Sequence, residues 1–72
     1  MAITTLTQRY RMKSYRSIGQ CFSHLKIYTT ALVYFGKYLE YAWLMDDKEA
    51  ELNSYDLLGV TYYLLGDLES AK

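Results

Sequence analysis

Cys21 and His24 stand three residues apart and are the chain's one cysteine and one histidine. On a helix that spacing allows a thiolate–imidazole pair, the starting arrangement for nucleophilic catalysis. Such chemistry also needs a group that orients the imidazole, donors for an oxyanion and a cleft that excludes water. A 72-residue chain has little room for them, so Cys21 is read as a small buried hydrophobe. One histidine and one cysteine leave a zinc site short of ligands, and one cysteine closes no internal disulfide. No phosphate-cradling loop or dinucleotide-binding glycine pattern is present. We therefore expect no catalytic residues, metal or cofactor, and read the chain as a non-enzyme.

The other residues with chemical potential are basic. Arg9, Arg11, Lys13 and Arg16 alternate with Tyr10 and Tyr15, which allows phosphate contacts and base stacking as an RNA-binding helical module. That is the alternative reading. Against it stand a net charge of zero and an isoelectric point near 6.5, which do not fit a dedicated nucleic-acid binder. Charge is segregated along the chain. Residues 1–39 hold six basic and no acidic residues, and residues 40–72 hold eight acidic and two basic ones, so the halves are +6 and −6.

These side chains need elements to position them. With 51% hydrophobic and 17% aromatic residues, nine of them tyrosine, the chain carries far more buriable surface than a disordered tail. At this length it forms one small domain whose core alone supplies no more than about 3 to 5 kcal/mol. Support is expected from packing against protein, either neighbouring subunits or a second copy. The longest uncharged runs, Ile27 to Gly36 and Leu57 to Gly66, are ten residues each, short of the roughly 20 needed to cross a membrane. The start lacks the apolar block of a secretory signal, and Asn53-Ser54-Tyr55 is not a glycosylation acceptor. A cytoplasmic setting is expected. The acid-free, Arg- and Thr-rich start resembles a mitochondrial transit peptide, which is the alternative.

Proline is absent and glycine occurs only at 19, 36, 59 and 66, so long helices can run without a breaker. An offset of 40 aligns Ser14 with Ser54, Tyr15 with Tyr55, Gly19 with Gly59, Leu25 with Leu65 and Ala31 with Ala71, an internal repeat. Tyr15, Ile18, Phe22 and Leu25 share the i, i+3, i+7, i+10 spacing with Tyr55, Leu58, Tyr62 and Leu65, and both stripes are expected to face a core. Gly19 and Gly59 then mark close approach of another helix. A second helix is predicted from about Thr30 to Met45, with Ala31, Tyr34, Phe35, Tyr38, Leu39 and Ala42 inward, ended by Asp46-Asp47. The next helix runs from about Asn53 to Leu65, Gly66-Asp67 turns, and a fourth helix opens near Leu68. Val60 to Tyr63 has strand propensity, but helical spacing on both sides outweighs it. Trp43 lies outside the periodic face and is expected to contact a partner subunit.

The segment LLGVTYYLLGDLESAK resembles a tetratricopeptide repeat, with Tyr55, Leu58-Gly59, Tyr62, Gly66 and Ala71 at the motif's positions. In the first copy Tyr15, Ile18-Gly19, Phe22, Ala31 and Phe35 match. Lys26 stands where the turn glycine is usual, and Tyr38 where a small alanine is usual. The 40-residue period is similar to the longer repeats of spindle-orientation adaptors. The resemblance covers about residues 12–72. It implies an all-α, antiparallel helix-pair solenoid of about one and a half repeats, with residues 8–46 as the first and 47–72 as a truncated second within one unit.

It also implies a non-catalytic scaffold, a subunit or fragment of a larger assembly, that holds a peptide or helix of a protein partner in its groove. The groove positions transfer to Lys13, Arg16, Gln20, His24, Asn53, Asp56, Val60 and Tyr63. Leu57 and Ser17 occupy the places where carboxylate-clamping members carry Asn, so a chaperone-tail clamp is not expected. Independently, Arg9, Lys13, Arg16, Gln20 and His24 fall within an arc of about 80° on one helix face. Such a face suits capture of an acidic segment by charge-assisted hydrogen bonds. Because the fourth helix is cut short, the Leu58, Tyr62 and Leu65 surface is expected to be exposed and to drive self-association.

Overall fold

A computed structural model describes the backbone of residues 2–70 and the side-chain surroundings of residues 7–68. It is all-helical: α1 spans Ala2–His24, α2 Tyr28–Leu44 and α3 Lys48–Ser70, with no strand among the described residues. α2 packs against both neighbours, while direct contact between α1 and α3 is slight. The molecule measures 50 × 20 × 12 Å and exposes 5282 Å². A compact chain of this mass would expose about 4,700 Å². The shape is elongated and open.

Both interhelical turns have the same construction. Lys26 and Asp46 adopt φ of 64° and 53°, the left-handed conformation that closes a helix at the residue after its cap. The Lys26 amide donates to the Ser23 carbonyl (3.0 Å) and the Ile27 amide to that of Phe22 (2.8 Å). After α2, the Asp46 amide donates to Trp43 (3.1 Å) and the Asp47 amide to Ala42 (2.9 Å). Asp47 then serves the next helix, its Oδ1 accepting from the Ala50 amide at 3.1 Å, the geometry of an N-cap. α3 therefore begins at Lys48, five residues before the predicted Asn53. These turns, of three residues each, make successive helices antiparallel.

α2 supplies most of the core: Tyr28, Ala31, Phe35, Tyr38, Leu39 and Ala42 are buried. Five of these were predicted inward, and Tyr34, the sixth predicted residue, is half-buried. Its ring stacks on Phe22 at 5.7 Å between centroids. The α1 stripe is rotated from the predicted one. Met12 and Gly19 are buried and Tyr15 and Phe22 half-buried, whereas Ile18 is exposed and Leu25 is 67% exposed. A Cβ on Gly19 would lie 2.6 Å from the Phe35 ring, so the missing side chain at 19 sets where α2 approaches.

α3 departs as well. It turns Ala50, Ser54 and Thr61 inward; of the predicted stripe Leu58 and Leu65 are half-buried, like Leu57, rather than exposed as expected of an uncovered helix, while Tyr55 is exposed and Tyr62 is 61% exposed. The buried hydroxyls are satisfied within the helix: Ser54 Oγ donates to the Glu51 carbonyl and Thr61 Oγ1 to the Leu57 carbonyl, each at 2.6 Å. Small residues let α3 approach α2 closely, and their back-bonded hydroxyls avoid the cost of an unpaired buried donor. The close approach expected at Gly59 is absent, since nothing lies within 4 Å of a Cβ placed there. The predicted turn at Gly66-Asp67 is also absent, because α3 continues to Ser70 and no glycine has a positive φ. Ala71 and Lys72, in the expected fourth helix, lie outside the described residues.

Candidate functional site

Met12 on α1, Tyr38 and Ala42 on α2 and Ala50 on α3 form one buried cluster. It is the place where all three helices converge, and above it a hollow of about 220 Å³ opens between α1 and α3. Met12, Tyr38 and Ala50 form its floor. Lys13 and Arg16 stand on the α1 side, and Asp47, Glu49 and Asn53 on the α3 side. Lys13 and Arg16 follow Met12 by one and four residues, so a helix that buries Met12 places both at the rim of its interface. On α3, Asn53 follows Ala50 by three residues and stands at the rim of that helix's buried face.

Of the eight sequence-predicted groove residues, Lys13, Arg16 and Asn53 line this hollow together. Gln20 is half-buried and His24, Asp56, Val60 and Tyr63 are exposed, and none of these five belongs to the lining. The predicted cationic face acquires an acidic opposite wall from Asp47 and Glu49, so the groove is bipolar. The sequence reading missed both acids. Their signal was there in the Asp47 N-cap position, which fixes α3's start and brings its first turn beside α1.

A wider hollow of about 550 Å³ lies between α1 and α2 and includes Arg11, Tyr15, Lys37, Glu40 and Tyr41. Tyr15 stacks on Tyr41 at 5.6 Å and the Lys37 ammonium lies 6.0 Å from the Tyr15 ring centroid, a cation–π contact at an exposed position. Arg11 thus faces a different cleft from Lys13 and Arg16, and the four basic residues of α1 do not form one continuous strip.

No protein-family model, no curated protein and no solved structure matches this chain. Cys21 is free and exposed rather than buried as expected, because the face of α1 turned to α2 runs through Met12, Tyr15, Gly19 and Phe22; among the described residues no three of His, Cys, Asp and Glu are grouped to hold a metal ion. No described helix is long and apolar enough to cross a membrane.

Proposed function

We propose that the chain is a non-catalytic helical-repeat scaffold, tetratricopeptide-like in its helix-pair arrangement, that holds a peptide or helix of a protein partner between α1 and α3. One observation carries the reading: Lys13 and Arg16 from α1 and Asn53 from α3 converge on a groove floored by apolar Met12 and Ala50. An apolar floor with polar walls takes an anchor side chain and orients it by charge. Lys13 and Arg16 would hold an acidic group of the ligand by charge-assisted hydrogen bonds, and Asp47 and Glu49 would disfavour a second acid on the far wall. The two packed helix pairs, α1 with α2 and α2 with α3, are consistent with a solenoid. The split of the basic residues between two clefts favours a peptide over RNA, which would need a continuous basic track.

Selection from a random-peptide display library against the chain tests this. Enriched peptides are expected to carry an Asp or Glu beside an apolar residue, and Lys13→Glu with Arg16→Glu should weaken them by about tenfold or more while helicity is unchanged. Enrichment indifferent to that double substitution would overturn the reading.

A further inference from the structure

On α1 the stripe turned toward α2 is Met12, Tyr15, Gly19 and Phe22, buried or half-buried. Shifted by the internal offset of 40, its counterpart on α3 is Leu52, Tyr55, Gly59 and Tyr62. All four are exposed, Leu52 to 66%. α3 meets α2 with another stripe altogether, Ala50, Ser54, Leu57 and Thr61. It therefore carries two helix-packing faces, and only one is occupied. The free face continues through Tyr63, 74% exposed, and Gly66, which also has open space around it.

Charge identifies the occupant. Exposed Asp56 and Asp67 border the free stripe, within a helix that has one basic residue, Lys48. α1 carries four basic residues and no acid. Its surface away from the groove floor has a shallow hollow of about 380 Å³ lined by Tyr10, Lys13, Ser14, Ser17 and Ile18, with small residues at its centre. We propose that a second copy of this chain covers the free stripe of α3 with the outer face of its own α1. Rings from α3 enter the hollow at Ser14 and Ser17, and basic side chains of α1 face Asp56 and Asp67. Because two different surfaces meet, the contact is head-to-tail and can propagate or close into a ring. It adjoins the peptide groove at Lys13, which lines both hollows, whereas the two positions tested below, Ser17 and Tyr62, lie outside the groove lining.

Two exposed positions test the contact without touching the core. Ser17→Glu puts an acid into the α1 hollow, and Tyr62→Glu removes a ring from the α3 stripe. Sedimentation velocity of the 72-residue chain from micromolar to millimolar concentration should show mass rising above 8.5 kDa, less so as ionic strength goes from about 0.05 to about 0.5 M. Each variant, with helicity checked by circular dichroism, should raise the half-association concentration by about tenfold or more. An equimolar mixture of the two retains one intact face of each kind and should recover a two-chain species that neither forms alone. A wild-type chain that stays at the monomer mass overturns the proposal and leaves the stripe to a different protein. Association that both variants retain, or a mixture that stays monomeric after both have lost association, overturns the pairing of these two faces.

Discussion

Gly19 and Gly59 align at the sequence offset of 40 but stand in opposite physical situations. At Gly19 a methyl group would meet the Phe35 ring at 2.6 Å, and Phe35 is 1% exposed, so the ring has little room to give. Gly19→Ala gains about 1 kcal/mol of helix propensity but overpacks this contact at about 1 to 3 kcal/mol, and is expected to lower stability. Gly59→Ala has the same gain with no opposing clash and should raise stability by about 1 kcal/mol. Urea unfolding of the two variants checks the pair, and equal shifts of the same sign would contradict the packing. Sequence reasoning saw both glycines as sites of close approach. It had no means to separate them, because a glycine's pattern does not say whether a neighbour is present. The same burial makes Phe35, rather than half-buried Phe22, the ring whose truncation to alanine should cost about 3 to 5 kcal/mol.

The helices are bounded by backbone geometry more than by side-chain signals. Lys26 and Asp46 hold left-handed φ values that cost a non-glycine residue about 1 to 2 kcal/mol, less for Asp than for Lys. Lys26→Gly is therefore expected to stabilise the chain by about 1 kcal/mol, and Asp46→Gly by less, read as midpoint shifts in urea. Gly66 is the contrasting case. In a continuous α3, Gly66→Ala adds helix propensity and should raise stability, whereas at a turn with positive φ it would lower it. A destabilised Gly66→Ala would restore the turn that the Gly66-Asp67 dipeptide signals in isolation. The dipeptide misled because an exposed glycine within a helix is tolerated where α3 is already anchored by its packing on α2 and by the Asp47 cap.

At the scale of the molecule, α2 is the element on which the other two depend, and Ala42 is fully buried where all three meet. Ala42→Leu places extra methylenes in that convergence and should cost about 2 kcal/mol. For a chain of this length that is a fall in melting temperature of roughly 8 to 16 °C. Thermal melting followed at the helical circular-dichroism band checks it, and loss of both interfaces should appear as one transition. An unchanged melting temperature would mean that α1 and α3 do not converge over Ala42.

The helical class, the inward face of α2 and the close of α2 just before Asp46-Asp47 were legible in the residues alone. In these cases the information is local: spacing of apolar residues, absence of proline and the short polar turn act within a few residues of one another. It also pointed to Lys13, Arg16 and Asn53, three of the residues that meet at the groove. Which stripes of α1 and α3 face α2 is settled by packing between helices. Hydropathy favoured Ile18 and Leu25 on α1 and the tyrosines at 55 and 62 on α3, but packing selected Gly19, Ser54 and Thr61, all small, with the Ser54 and Thr61 hydroxyls bonded within their own helix. Side-chain hydrophobicity is a property of each residue, whereas the room to bring two helices together belongs to the pair, and that is why the orientation of α3 was not legible before the fold.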